Sequence, residues 1–275
     1  MPRIRVNGVE LYFEDTGGQN RETIVFSHGL FLSSRAFDPQ VAALSDRYRC
    51  IAYDHRGQGR SEITKNGYDM ETIYEDAAHL IQALDAAPCH FVGSDMGGVV
   101  AMRLAARRPD LIKSLVLIHT SPDTEPESEV ARYRTLSFVL RWFGTQWAAD
   151  TVMKSLFGTD FLKNSAFASQ RDDFRKQILA LDRVGLSRAV TGYIARHGVY
   201  DEISKIQIPT LILVGDHNVS ALPEQARRIH NRIKGSKFVV VHGAGRTASI
   251  EEPETVSNII QLFLNNLRTP AASSP

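Results

Sequence analysis

A glycine-rich segment around Asp95 joins an apolar run to a helix-like stretch, the pattern of a strand that turns sharply into a helix. Such an elbow strains the backbone of its central residue and tolerates only small residues two positions before and two positions after it. Gly93 and Gly97 meet this requirement if Asp95 is the apex. An apex at Ser94 would place bulky valine and methionine side chains there. The sequence therefore predicts a carboxylate where an elbow presents its nucleophile.

A second loop could supply hydrogen-bond donors to the same place. Ser27-His28-Gly29-Leu30 ends an apolar run, and its glycine lets the chain turn so that the N–H of Leu30 faces the apex. Together with the N–H of Met96, this predicts a two-donor hole for a developing oxyanion. We expect His28 to hold the loop by hydrogen bonding rather than to transfer a proton.

Five motifs along the chain resemble the α/β-hydrolase superfamily. They are His28-Gly29, Asp54-His55-Arg56-Gly57-Gln58-Gly59-Arg60-Ser61, the elbow at Asp95, Val214-Gly215-Asp216 and His242-Gly243-Ala244-Gly245. The resemblance covers nearly the whole chain and is nearest to small esterases and enol-lactonase-like members. It implies the chain order nucleophile, acid, base, and a structural rather than catalytic role for the turn at Asp54–Ser61.

The chain departs from that family at all three triad positions. Members mostly carry serine at the apex, aspartate after the strand that here ends at Val214-Gly215, and histidine in the last loop. Here these positions hold Asp95, Asn218 and Arg246. Arginine stays protonated at working pH, so Arg246 cannot take up a proton as the base of a serine triad must. Ordinary serine-hydrolase turnover is excluded unless another histidine enters the site.

Two histidines are the better candidates for such a rescue, because they follow strand-like runs, and doubly wound folds place their sites at the carboxyl ends of strands. His217 neighbours Asn218, and His119 follows Leu117-Ile118. His242, in the last loop, is a third candidate. A histidine in such a place is more often a hydrogen-bonded residue beside the site or at its rim. We therefore assign His28, His217 and His119 supporting roles only.

Asp95 and Arg246 place opposite charges where a hydroxyl and an imidazole would face each other in a serine hydrolase. The two side chains can satisfy each other through charge-assisted hydrogen bonds. The cation favours the ionised carboxylate and lowers its pKa, which makes Asp95 a weaker base.

The elements that must position these residues alternate along the chain. Six short runs are dense in Val, Ile and Leu, namely Thr23–Ser27, Arg49–Tyr53, Cys89–Val92, Ser114–Ile118, Thr210–Val214 and Lys237–Val241. Such runs suit strands buried on both faces of a parallel sheet, and amphipathic helical stretches separate them. The sequence predicts an α/β-hydrolase fold with a mostly parallel, doubly wound sheet, helices on both faces and an N-terminal hairpin at Asn7-Gly8.

One stretch breaks the alternation. Residues 122–201 lack a strand pattern but are rich in Trp, Phe and Tyr, which predicts a helical cap insertion rather than a disordered linker. Residues 1–121 and 202–268 then form the hydrolase core, and 269–275 form a frayed tail. We expect most cap aromatics to pack on the core and a few to line a substrate cavity.

Composition limits the classes of function. A net charge of +1 provides no basic field for nucleic acid. No apolar run approaches the ~18 residues of a membrane span, and the N-terminus lacks a signal peptide's apolar stretch. We expect a cytoplasmic protein with a small-molecule substrate, no membrane partner, no metal and no cofactor, since no metal-ligand cluster or dinucleotide fingerprint occurs. The cysteines, Cys50 and Cys89, are expected to be buried thiols.

Three functions remain open. The first is an enzyme acting without a serine nucleophile on a small carbonyl, ester, lactone-like or acidic substrate, in which Arg246 binds an anion and frees Asp95 to move a proton. In the second, Asp95 attacks carbon as in haloalkane dehalogenases and epoxide hydrolases. Those families usually place tryptophan where this chain has Met96. Their ester intermediate is hydrolysed by a histidine-activated water, so this mechanism requires a histidine displaced from the usual position. The third is a non-catalytic ligand-binding protein whose ion pair is structural.

Overall fold

An eight-stranded sheet forms the centre of the computed structural model, which describes residues 2–18, 21–217 and 222–268. The strands are β1 Arg3–Val6, β2 Val9–Asp15, β3 Thr23–Ser27, β4 Arg49–Tyr53, β5 Cys89–Ser94, β6 Ile112–Ile118, β7 Thr210–Gly215 and β8 Lys237–Val241. They lie in the order β1-β2-β4-β3-β5-β6-β7-β8. The pairs β1–β2 and β2–β4 are antiparallel and the others are parallel, so the predicted mostly parallel sheet is confirmed.

The burial of the strands explains their composition. Every residue of β3, β4, β5 and β7 is buried, as expected for strands covered on both faces. The edge strand β8 is partly exposed. At the other edge, the β1–β2 hairpin turns through Asn7 and Gly8, whose φ values of 44° and 74° suit a tight turn.

Eleven α-helices surround the sheet in the described part of the chain. They are α1 Asp38–Leu44, α2 Met70–Ala83, α3 Met96–Arg107, α4 Glu127–Phe143, α5 Thr145–Leu156, α6 Thr159–Lys163, α7 Ala168–Ala180, α8 Arg183–Ile194, α9 Leu222–Arg232, α10 Ala248–Glu251 and α11 Pro253–Arg268. Helix α2 begins behind Asp69, whose side chain accepts a hydrogen bond from the N–H of Thr72 and so caps the helix. Helix α3 packs against β5 and β6, which places its first residue at the end of a central strand.

Helices α4 to α8 follow one another between β6 and β7. Their aromatic side chains pack on one another: the rings of Phe157 and Phe161 stack at 4.5 Å, and those of Phe161 and Phe167 stack at 5.2 Å. Helix α4 packs against α5 and α8. The predicted cap segment is therefore helical and has an apolar interior of its own.

The structure also locates the predicted turn at Asp54 and the two cysteines. The carboxylate of Asp54 accepts the N–H groups of Ser34 and Arg60, so it ties its turn to the chain after β3. Cys50 and Cys89 are free and buried, as expected. The predicted tail, 269–275, lies outside the described residues. Among the residues that are described, no helix has both the length and the apolar character needed to cross a membrane.

Replacing Gly97 by alanine should strongly destabilise the fold, because the added methyl group would overlap the carbonyl oxygen of Ser27. We expect a loss of about 3 kcal/mol in the free energy of unfolding, at the upper end for overpacking. The control Gly8→Ala has open space around the new methyl group and only a positive φ of 74° to accommodate, which should cost about 1 kcal/mol. Urea unfolding of both variants measures the difference, and equal losses would contradict the packing argument.

Candidate active site

Asp95 is the apex of a strained elbow between β5 and α3. Its φ and ψ are 50° and −112°, a conformation that residues other than glycine rarely adopt. Its N–H donates to the carbonyl of Ile118 at 3.0 Å, and its own carbonyl accepts the hydroxyl of Thr120 at 2.8 Å. A Cβ at Gly93 would collide with the backbone of Gly97. The packing of neighbouring strands thus holds the elbow in its conformation.

Both carboxylate oxygens of Asp95 are hydrogen-bonded. Oδ1 accepts from Nη2 of Arg246 at 2.5 Å and from the hydroxyl of Tyr193 at 3.0 Å. Oδ2 accepts from the N–H of Leu30 at 3.1 Å. The side chains of Asp95 and Arg246 are only 8% and 15% exposed, so their contact is shielded from solvent screening. The structure brings together the two charged residues singled out from the sequence.

The charges reinforce each other's ionised forms. Burial alone would raise the pKa of Asp95, but the charge and hydrogen bond of Arg246, with hydrogen bonds from Leu30 and Tyr193, outweigh burial and lower it. Burial would likewise lower the pKa of Arg246, but the charge of Asp95 outweighs it and the pKa lies well above its usual value. In this arrangement Asp95 is a weak base and the pair is electrically neutral.

Arg246 lies in the loop between β8 and α10, with further donors available. Its Nη1 donates to the hydroxyl of Tyr133 at 3.2 Å. Its buried Nε–H has no hydrogen-bond partner among the residues that the structure describes. A guanidinium carries five N–H groups in a planar fork, so Arg246 can contact a second anion or a carbonyl oxygen beside Asp95.

The predicted two-donor hole has one donor already engaged. The N–H of Leu30 donates to Asp95 itself, because a carboxylate has a second oxygen that reaches toward the loop after β3. Met96 is the first residue of α3, so its N–H needs a partner from outside the helix. Of the two predicted donors, Leu30 is therefore occupied by Asp95, and a substrate-binding role for the N–H of Met96 stays a prediction.

Of the four histidines considered from the sequence, His28 and His119 are buried near the elbow and the other two lie at the surface. The backbone N–H of His55 donates to Nε2 of His28 at 3.0 Å, and Nδ1 of His28 contacts the carbonyl of Gly29 at 2.7 Å, so His28 holds the loop in place. His119 is buried directly after β6, and burial together with the charge of Arg246 lowers its pKa to about 3. It is therefore a neutral imidazole near pH 7 and a poor proton acceptor.

The other two candidate histidines, His217 and His242, lie beside acidic side chains at the surface. His217 is about half exposed, with Nδ1 3.1 Å from a carboxylate oxygen of Asp160. A carboxylate oxygen of Asp216 accepts a hydrogen bond from Nδ1 of His242 at 2.6 Å. The structure does not bring His217 to Asp95 as a support, because its side chain points toward the cap carboxylate of Asp160. Asn218 lies outside the described residues.

Two site residues come from the predicted cap segment, in which the sequence predicted that most aromatics pack on the core and a few line a substrate cavity, without saying which. Tyr193 lies on α8 and Tyr133 on α4, and both are buried with their hydroxyls on the Asp95–Arg246 pair. Burial, above all, raises the pKa of Tyr193 well above its usual value, so its hydroxyl stays protonated and donates. A buried tyrosine hydroxyl needs a partner, but the sequence alone does not say which tyrosine meets which group.

Glu251 is a third residue that sequence analysis missed. It is 4% exposed. Its Oε2 accepts the N–H of Gly158 from the cap at 2.8 Å, and its Oε1 accepts the N–H of Thr247 at 3.1 Å. Thr247 follows Arg246 directly, so Glu251 fastens the arginine loop to the cap. No group of three or more His, Cys, Asp or Glu side chains in the described ranges could hold a metal ion.

Comparison with known proteins identifies the family, since the alpha/beta hydrolase fold family matches residues 22–253. The chain belongs to the α/β-hydrolase fold family. It is 26% identical over 267 residues to 3-oxoadipate enol-lactonase 1 of Acinetobacter baylyi, covering 95% of each chain. The enol-lactonase of Burkholderia xenovorans has a TM-score of 0.89 at 28% identity, covering 96% of this chain and 100% of that one.

A thermophilic esterase from Thermogutta terrifontis has a TM-score of 0.90 at 27% identity, covering 98% of this chain and 100% of its own. These similar proteins are named as hydrolases. The predicted family and fold are confirmed, and so is the expectation of a hydrolase-fold enzyme.

Arg246→Ala should destabilise the protein most at neutral pH. Breaking a buried pair leaves the Asp95 charge uncompensated, which typically costs about 3 kcal/mol of the free energy of unfolding. Without the cation, burial raises the folded-state pKa of Asp95 above its unfolded value, so lowering the pH protonates Asp95 and the deficit relative to wild type shrinks. Urea unfolding between about pH 7 and about pH 5 measures this trend. The same substitution in an Asp95→Asn background should lack it, and a pH-independent deficit in Arg246→Ala alone would contradict the account.

Glu251→Gln should loosen the arginine loop. The carboxylate accepts N–H groups on both oxygens, so a glutamine must direct its NH2 group at one of these donors. We expect a loss of about 2 kcal/mol in the free energy of unfolding. The neighbouring control Glu252→Gln should change it by less than about 0.5 kcal/mol. Thermal or urea unfolding of the two variants measures the difference. Equal losses would contradict the proposed role of Glu251 in holding the arginine loop.

Proposed function

We propose that the protein is an enzyme that opens a small ester, lactone or related carbonyl compound without a serine nucleophile. In this proposal Asp95 is the general base and Arg246 binds the carbonyl or carboxylate oxygen of the substrate. The observation that carries it is the 2.5 Å contact between Arg246 and a buried carboxylate at the elbow. No hydroxyl stands at the apex to form an acyl-enzyme.

Substrate binding would convert Asp95 from a weak base into a stronger one. A substrate oxygen that competes for Arg246 removes the cation that lowers the pKa of Asp95, while Tyr193 and Leu30 still hold the carboxylate. The effect of burial then dominates and raises that pKa toward the range useful for general-base catalysis. The guanidinium thus couples recognition of the substrate to activation of the base.

The chemical step balances with the residues present. Asp95 takes a proton from the water whose oxygen adds to the carbonyl carbon. The negative charge moves to the carbonyl oxygen, where Arg246 and the N–H of Met96 stabilise it. As the C–O bond breaks, Asp95 returns the proton to the leaving oxygen. An enol-lactone and an ester both contain this bond, and similar proteins are named for acting on them.

A second candidate is nucleophilic attack by Asp95 on carbon. It is favoured by the hydrogen bond from Leu30 to Oδ2, which would stabilise the oxyanion formed when an Asp95 ester is hydrolysed. Against it, the buried His119 has a pKa of about 3 and would activate water poorly.

A third candidate is a ligand-binding protein without turnover. It is favoured by the mutual neutralisation of the Asp95 and Arg246 charges in their buried ion pair.

Turnover in 18O-labelled water separates these mechanisms. A panel of esters and lactones, with and without a free carboxylate, first identifies a substrate, and repeated turnover then follows in the labelled solvent. General-base chemistry places 18O in the product acid and leaves the Asp95 peptide unlabelled. Asp95→Asn should lower kcat by about a hundredfold or more.

Arg246→Lys, which keeps the charge but loses the planar fork, should raise KM and also lower kcat, because Arg246 both binds the substrate oxygen and stabilises the negative charge that develops on it. An Asp95 peptide that gains 18O would instead establish the nucleophile mechanism. Turnover unaffected by Asp95→Asn would contradict both, and an inactive but ligand-stabilised protein would support the binding role.

A further inference from the structure

A second buried arginine, Arg196, lies two residues beyond the end of α8 and against the ring of Tyr193. It is 5% exposed, and its guanidinium carbon lies 4.2 Å from the centre of that ring. A cation over an aromatic face is attracted by the π electrons of the ring, and the attraction is stronger where water is excluded. The hydroxyl of the same ring donates to Asp95 at 3.0 Å. The side chain of Tyr193 therefore joins Arg196 to the elbow.

Three polar contacts hold the guanidinium on the ring. Nη1 of Arg196 donates to the carbonyl of Tyr193 at 3.2 Å, and Nε donates to the carbonyl of Asp123 at 3.2 Å. Nη1 also lies 2.5 Å from a carboxylate oxygen of Glu125. The side chains of this ion pair are only 2% and 11% exposed, so water screens it little. The end of α8 and the segment that leads into α4 thus determine where Arg196 lies.

The charge of Arg196 affects the hydroxyl that Asp95 receives. Burial raises the pKa of Tyr193 well above its usual value, and the charge of Arg196 opposes that rise, because a cation beside a phenol favours its anion. The same charge draws electrons away from the O–H bond, and a more polarised hydroxyl donates a stronger hydrogen bond. A buried ion pair is often only structural, but this one acts on a ring whose hydroxyl contacts the apex of the elbow.

We propose that Arg196 is a positioning residue for Asp95 and acts through Tyr193. Its guanidinium fixes the ring from one face and so directs the hydroxyl at Oδ1, and its charge strengthens the hydrogen bond that the hydroxyl donates. Arg246 acts on the same carboxylate directly. The site therefore contains two cations with different tasks, one in contact with Asp95 and one behind the tyrosine.

The consequence of this arrangement for turnover rests on the proposed function. Once a substrate oxygen competes for Arg246, the hydrogen bonds from Tyr193 and Leu30 remain on the carboxylate of Asp95. The hydrogen bond that Arg196 strengthens then keeps Asp95 oriented, and it limits the rise of the Asp95 pKa that burial causes.

Removing the Arg196–Glu125 pair as a unit tests this inference, because the double variant Glu125→Gln/Arg196→Met leaves the net charge unchanged. The Asp95 pKa, measured by carbon-13 NMR titration of its carboxyl group, should rise by about half a unit, which is about a threefold change in the protonation constant. The reason is that Tyr193 then donates a weaker hydrogen bond to the ionised carboxylate. The matched control Glu125→Gln keeps the cation on the ring and should not raise the Asp95 pKa.

The variant Tyr193→Phe shows whether the effect passes through the hydroxyl. In that background the double substitution should leave the Asp95 pKa unchanged, and a rise of the same size would overturn the inference. Arg196→Lys keeps a cation but loses the planar group that lies on the ring, so it should raise the Asp95 pKa by a smaller amount. This milder variant decides if the double variant does not fold. An Asp95 pKa that no substitution of Arg196 alters would overturn the inference.

The inference and the proposed function fail in different ways. If the Asp95 pKa depends on Arg196 through Tyr193 but Asp95→Asn leaves turnover unchanged, the proposed function is overturned and the positioning role stands. If Asp95→Asn abolishes turnover but the double variant changes neither the Asp95 pKa nor the pH dependence of kcat/KM, the positioning role is overturned and the proposed function stands. A pH–rate profile that moves together with the Asp95 pKa supports both.

Discussion

The hydrogen bond from Arg246 to Asp95 determines what this site can do. The hydrogen bond is 2.5 Å long and joins a permanently protonated guanidinium to a carboxylate at the apex of a strained elbow. Both side chains are largely buried. Each charge makes the burial of the other tolerable, since an unpaired charge in such a place would be strongly destabilising. The same pairing lowers the pKa of Asp95 and so makes its carboxylate a weak base.

Three parts of the fold converge on this contact. The elbow places Asp95, the loop after β3 supplies the N–H of Leu30, and the cap supplies the hydroxyls of Tyr133 and Tyr193. Glu251 connects the loop that carries Arg246 to Gly158 of the predicted cap segment. The position of Arg246 therefore depends on Glu251 and on that segment. The hydrolase framework is therefore retained, with a buried charge pair at the elbow, and the proposed function assigns to this pair the coupling of substrate binding to the basicity of Asp95.

The predictable parts of this site are those in which the constraint lies close in sequence. The elbow could be located because Gly93 and Gly97 flank Asp95, and the parallel strands because burial on both faces leaves continuous apolar runs. Tyr193 could not be assigned, because its contact with Asp95 depends on how five cap helices fold over the sheet. Glu251 meets Gly158 across 93 residues for the same reason. His217 follows the expected strand, but strand position does not determine side-chain direction, and its ring lies against Asp160.

The most direct test of this account is a carbon-13 NMR titration of the Asp95 carboxyl group, with and without saturating butanesulfonate, an anion that stays charged throughout. The account predicts a pKa below the usual aspartate value of 3.8 in the free protein and an upward shift when the sulfonate occupies Arg246. An ordinary or raised pKa in the free protein, or a pKa unchanged by the bound anion, would contradict it.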